Sequence, residues 1–163
     1  MLEGKITRIS GPIVYVEGLE SCGLYVVVTV CNQNLIGGII RLRAGFASIM
    51  VYEDDTGMCI GEKVTCEQRP LSVRLGPGLV GTIYDGIQRP LATMFKEGGT
   101  FLHPGQRTEP LDTEKKWMFK PILNAQDTIS AGTVLGTVQE TASILHKILV
   151  PPTIRGKKLK SIV

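Results

Sequence analysis

The first 66 residues set short runs of aliphatic and β-branched side chains between turn-forming clusters, and this alternation constrains the fold more than any other feature. Residues 5–9 (KITRI) meet Ser10-Gly11-Pro12, residues 13–16 (IVYV) meet Glu17-Gly18, and residues 24–30 (LYVVVTV) meet Asn32-Gln33-Asn34. The rhythm continues through 35–42 (LIGGIIRL), a turn at Ala44-Gly45, 47–52 (ASIMVY), the Glu53-Asp54-Asp55-Thr56-Gly57 corner and 63–66 (KVTC). Such runs read as strands, because turn residues end each one before a helical period develops. About six short strands in so short a stretch favour a closed barrel, since a small open sheet would leave two unpaired edges. The 19 glycines and 9 prolines are spread along the chain rather than gathered in one linker, which again suits strands and turns. The expected class is mainly β.

The texture changes after Pro70. A strand-like 71–75 (LSVRL) leads into a glycine stretch; Pro90 then opens 91–97 (LATMFKE), which Gly98-Gly99 stop. Proline at a first helical position and glycine past the last describe one short helix. From Thr100 onward β texture returns, broken at Gly132, Gly136 and Pro151-Pro152. Three segments follow: a six-stranded barrel over 1–70, a connector over 71–99 and a second β unit over 100–163. Trp117 and Phe119 flank Met118 as an edge strand packing one face on a core would.

Bulk properties exclude several functions. The net charge is +3, and the only basic cluster, Arg155-Gly-Lys-Lys-Leu-Lys160, has no aromatic residues interleaved for base stacking, so no nucleic-acid partner is expected. Cys22, Cys31, Cys59 and Cys66 form no C-x-x-C pair, and His103 and His146 lie far away in the chain; reduced thiols are expected rather than a zinc site. The acidic corner Glu53-Asp54-Asp55 lacks the alternating ligands and the glutamate of a calcium loop. The N-terminus carries no signal-peptide pattern, and the longest apolar stretch, 24–31, falls far short of the about 18–20 residues a membrane helix needs, so no direct membrane insertion is expected. Neither histidine has a serine or cysteine placed beside it by sequence, which assigns both structural roles.

The glycine stretch itself, LGPGLVG, places Gly76, Gly78 and Gly81 in the spacing G-x-G-x-x-G. A dinucleotide turn needs a long helix directly after the glycines to aim its dipole at the pyrophosphate. Here the segment to Pro90 is short, contains Gly86, and ends in a proline that forces Arg89 out of helical geometry. A kinase loop would continue as Gly81-Thr82-Ile83 with Lys96 downstream, but the chain has no H-R-D or D-F-G run. No G-x-x-x-x-G-K-[ST] P-loop occurs either. The glycines therefore read as backbone turns.

The whole of Pro70 to Leu91, PLSVRLGPGLVGTIYDGIQRPL, resembles the connector segment of the catalytic A subunits of V/A-type rotary ATPases. The likeness extends to GKITRISGPIVYVEG from Gly4, LIGGIIRL from Leu35, VYEDDTG from Val51, and downstream to LDTEKKWMF from Leu111, GTVQET from Gly136 and HKILVPP from His146. The resemblance implies a crown barrel that ties A and B subunits into a ring, the start of a nucleotide-binding domain, and the bulge insertion that marks A subunits. It assigns no catalytic, cofactor-binding or metal residue to this chain. Gly76, Pro77, Gly78, Gly81, Asp85, Gly86, Arg89 and Pro90 are singled out as turn and connector residues. ATP and Mg2+ belong to the full-length subunit, whose P-loop, metal ligand and catalytic glutamate are expected beyond Val163. Implied partners are B subunits and other head and stalk subunits, and the implied location is the cytoplasmic face of a membrane, peripherally, through the complex.

Arg74 departs from the family pattern, which is usually acidic there, and Leu159 to Val163 ends inside the insertion, as a truncated product, an expressed fragment or part of a split gene would. Gly132 to Val138 with Val150-Pro-Pro is also similar to biotinyl and lipoyl barrel-sandwich domains, but Ser143 stands where the carrier lysine would be. A free-standing β-barrel interaction module is the alternative function.

Overall fold

A computed structural model describes residues 2–154 and 156–161. Arg155 of the basic C-terminal cluster and Val163, at which the insertion is read as cut, lie outside the described residues. The chain divides into two compact units: one holds the chain up to Val73 with Thr93–Thr108, the other Arg74–Ala92 and the chain from Glu109 onward.

In the first unit β1 (Leu2–Ser10), β2 (Ile13–Glu17), β3 (Val26–Val30), β4 (Leu35–Arg43), β5 (Phe46–Val51) and β6 (Lys63–Pro70) close a barrel in the order β1-β2-β5-β4-β3-β6. Every neighbouring pair, including the closing β6–β1 pair, is antiparallel. Side chains alternate along β2 and the first half of β6 as barrel geometry demands. In β2, Val14 and Val16 are fully buried while Ile13 and Tyr15 are half-buried, and in β6 Val64 and Cys66 point inward between more exposed neighbours. With Ile6, Leu19, Val28, Leu35, Ile39 and Ile49 they form one core, each large side chain contributing about 1.5–3 kcal/mol by leaving water. Register shifts at Ile6/Arg8, Val26/Val28 and Ile39/Arg41 bend the strands where so few must curl into a closed surface.

Two parts of the strand reading differ from the observed structure. The run beginning at Leu24 enters the sheet only at Val26, because Tyr25 has φ 62°, a left-handed conformation that a strand does not contain. Residues 71–75 have no regular structure, and Leu71, Val73 and Leu75 are exposed. The closed barrel offers them no edge on which to pair.

The helix α1 (Leu91–Gly98) follows Pro90 directly. It ends as expected on glycine: Gly99 has φ 79° and its amide donates to the Phe95 carbonyl at 2.9 Å. In the second unit β7 (Phe119–Pro121), β9 (Val134–Gln139) and β10 (Leu145–Leu149) form an antiparallel sheet ordered β10-β9-β7, and β8 (Thr128–Ile129) pairs with β11 (Lys157–Lys158). β7 is an edge strand, as the Trp117–Phe119 pattern suggests, although it begins only at Phe119; the Lys115 ammonium lies 4.2 Å from the Trp117 ring centroid. No helix among the described residues is long and apolar enough to cross a membrane.

Candidate functional site

The glycine stretch turns at Pro77-Gly78, and Gly78 and Gly81 both adopt left-handed φ values, 105° and 88°. Only a residue without Cβ holds φ 105° at low cost. A turn hydrogen bond from the Thr82 amide to the Leu79 carbonyl (3.2 Å) and one from the Thr82 hydroxyl to the Gly78 carbonyl (3.0 Å) fix the loop between them. Gly76 is buried in close approach to Leu111, whose Cδ1 would lie 2.8 Å from an added Cβ.

This backbone shape aims two amides at one point. The N–H groups of Gly78 and Val80 donate to the same oxygen, Oε1 of Glu140, at 2.7 and 3.0 Å. The other carboxylate oxygen, Oε2, lies 3.4 Å from Nδ1 of His146, and the Glu140 side chain is only 2% exposed. Alternate amides converging on one anion form a nest, the same device that cradles phosphates in nucleotide-binding loops. Here the anion belongs to the chain itself. The Val80 amide above all holds the Glu140 carboxyl below its usual range, with the Gly78 amide and His146 adding to it and desolvation opposing. The two amides that a phosphate would need are committed here to the Glu140 carboxylate.

Downstream, Asp85 organises a second knot. Its Oδ1 accepts from the Ile87 and Arg89 amides at 3.1 and 2.8 Å, and Oδ2 accepts from Nε of Arg89 at 2.6 Å. The two side chains are 17% and 10% exposed, and the segment closes through Asp85 N–H to the Arg89 carbonyl (3.1 Å) and Leu91 N–H to the Ile83 carbonyl (3.0 Å). Burial raises the Asp85 carboxyl, but the amides of Arg89 and Ile87 and the Arg89 guanidinium outweigh it, leaving the group below its ordinary value. Gly86 occupies the turn without a left-handed φ; that conformation falls instead on Gln88, at φ 63°. Its amide side chain reads the main chain of Arg74 in both directions, accepting from the Arg74 N–H at 2.6 Å and donating to its carbonyl at 2.7 Å. The Tyr84 hydroxyl donates to the Pro110 carbonyl at 2.8 Å, Arg74 pairs with Glu109 at the surface, and Pro90 is buried before α1.

The structure thus joins Gly78 and Gly81 in one turn and Asp85, Arg89 and Pro90 in the next. Sequence reasoning missed Glu140 and Gln88. Glu140 lies 62 residues beyond Gly78, in the hairpin where a carrier domain would hold its lysine, and no local pattern links the two. Ser143 sits in the same hairpin, its hydroxyl 3.4 Å from that of Thr141. His103 stays in a turn, its carbonyl accepting from the Gln106 amide at 3.3 Å. Among the described residues no group of His, Cys, Asp and Glu could hold a metal ion. The arrangement is a main-chain scaffold built on the carboxylates of Glu140 and Asp85.

Residues 6–67 match the family model described as ATP synthase alpha/beta family, beta-barrel domain, and residues 108–163 match that of the ATPsynthase alpha/beta subunit barrel-sandwich domain. The chain is 49% identical over 159 residues to the A-type ATP synthase A subunit of Thermoplasma volcanium, covering 98% of this chain and 20% of that protein. It is 46% identical over 156 residues to the "V-type ATP synthase alpha chain" of Clostridium botulinum strain Hall (96% of this chain, 26% of the relative). Against the protein of that name from Clostridium perfringens strain SM101 it is 46% identical over 164 residues (99% and 28%). The chain therefore spans between a fifth and somewhat over a quarter of the length of these relatives.

Proposed function

The chain belongs to the ATP synthase alpha/beta family, as the N-terminal region of a V/A-type A subunit, and on that premise we propose that it works as the assembly part of a rotary ATPase head. In this reading the barrel at 1–70 supplies contacts with neighbouring B subunits in the ring. Residues 71–99 hand the chain over to a nucleotide-binding domain, and the segment from 100 onward is the bulge insertion. ATP and Mg2+ are held by the rest of the subunit, and the ion-translocating complex carries this chain peripherally at a membrane.

The observation that carries the reading is the order of the matches. A barrel model and a barrel-sandwich model fall on either side of the Pro70–Leu91 connector, and identity to A-type and V-type relatives runs across nearly the whole chain. The self-filled Gly78–Val80 nest supports placing the phosphate site elsewhere. Co-expression with the B subunits of the same organism tests the contacts: the chain should co-purify with B, and substitutions on the outer barrel surface should weaken the complex without unfolding the chain. Failure to associate would leave the free-standing module, which a stop codon directly after Val163 would favour. Calorimetry with MgATP should give no tight binding, and ATP turnover by the purified chain would refute the assignment.

A further inference from the structure

The Glu140 site has the parts of an anion receptor, and those parts do not depend on the carboxylate being tethered. The loop's turn is closed by Thr82 through the Leu79 and Gly78 carbonyls. The hairpin that carries Glu140 is held by its own main chain, with Glu140 N–H to the Ile144 carbonyl at 3.0 Å and β9 paired to β10 on either side of the tip. Gln139 adds two side-chain bonds, to the Thr141 and Ile144 carbonyls, at 2.6 and 3.2 Å. Receptor and tether are thus separately braced. The carboxylate between them is 2% exposed and meets the Gly78 and Val80 amides on one oxygen and His146 on the other.

We propose that the Gly78 and Val80 amides with His146 form a monocarboxylate-binding pocket, kept closed by the chain's own Glu140, which accepts a free small carboxylate when that side chain is shortened. Acetate is the fitting ligand, because Glu140→Ala removes a methylene and a carboxylate and acetate returns a carbon and a carboxylate to the same space. The filled pocket also accounts for a G-x-G-x-x-G loop that turns its amides inward. An anion that binds only the native fold raises the melting temperature in proportion to the logarithm of its concentration once above its dissociation constant.

The test uses the full chain, wild type and Glu140→Ala, titrated with sodium acetate against sodium chloride at equal ionic strength. Trp117, the chain's only tryptophan, has its Cζ2 3.6 Å from where a Gly78 Cβ would sit, so its fluorescence reports on the pocket. Expected is a saturable acetate-specific rise of several degrees in Tm, with a Trp117 signal, for Glu140→Ala and neither for wild type. An equal response of both proteins, or none in the variant beyond chloride, overturns the proposal, as does inorganic phosphate binding the variant while acetate does not. If Glu140→Ala fails to fold, refolding in acetate but not chloride should recover it, and no recovery overturns the idea. In wild type the Gly78 and Val80 amides should exchange with solvent at least about tenfold more slowly than the exposed amide of Gly86, and equal exchange also overturns it.

Discussion

Asp85 is the residue whose replacement should most clearly separate the connector's architecture from mere turn propensity. Asp85→Ala removes an acceptor for two amides and the partner of a guanidinium 2.6 Å away, in a pair with 17% and 10% side-chain exposure. Removing one member of a buried pair costs about 3–5 kcal/mol. Residual solvent access and a further interaction of Arg89 place this case near about 3 kcal/mol. Asp85→Asn keeps an oxygen for the Ile87 and Arg89 amides but turns the acceptor of the Arg89 Nε–H into an NH2 donor and removes the charge, so about 1–2 kcal/mol is expected. At about 4–8 °C per kcal/mol for a small domain, the asparagine variant should melt about 5–15 °C lower and the alanine variant lower still. Trp117 lies in the same unit as Asp85 and reports that unit's melting.

The sign of the pH effect follows from the lowered Asp85 carboxyl. A carboxyl depressed in the fold stabilises above its unfolded value of about 3.9, and that contribution is lost as pH falls through the folded value. The gap between wild type and Asp85→Asn should therefore be full at pH 7 and close below about pH 4. Equal melting of wild type and Asp85→Asn at pH 7, or a gap that widens on acidification, would refute the role given to Asp85.

Two further outcomes concern the barrel unit. Gly105 has φ 71°, and an added Cβ would land on the Gln33 carbonyl oxygen; its amide donates to Oε2 of Glu53 at 2.9 Å, whose Oε1 accepts from Ile36 at the same distance. Gly105→Ala should cost about 2–4 kcal/mol from left-handed strain and the strained or lost carboxylate contact, seen as faster exchange of the residue-105 amide, while Gly45→Ala, with φ 92° but open space around it, should cost less. Burial, with Cys66 beside one and Glu62 beside the other, pushes the Cys22 and Cys31 thiols up to about 12. At pH 8 both therefore stay protonated and shielded, so mass spectrometry after brief alkylation should find exposed Cys59 modified first, and early labelling of Cys22 would contradict the packing.

Much of the fold was legible because strand and turn signals are local. The runs 13–16, 35–42 and 63–66 are rich in β-branched and aliphatic residues, and each lies within a barrel strand. Pro90 and Gly98-Gly99 bracket a helix for equally local reasons. The misreadings came at two places: residues 71–75 have strand composition but no edge on the closed barrel, and Leu24 belongs to a strand-like run that the left-handed Tyr25 interrupts.

The candidate site divides the same way. Glycine spacing by itself pointed to tight backbone turns over 76–81, because only glycine accepts φ values such as the 105° of Gly78 cheaply. Which anion the Gly78 and Val80 amides meet was decided only by the tertiary structure, since the answer is a side chain 62 residues beyond Gly78, brought in by the β9–β10 hairpin. Likewise the Asp85–Arg89 spacing is visible in the sequence, whereas the clamp of Gln88 on Arg74 depends on a chain reversal that no residue type announces. Short-range sterics are written residue by residue; a buried charge finds its partner only when distant segments pack.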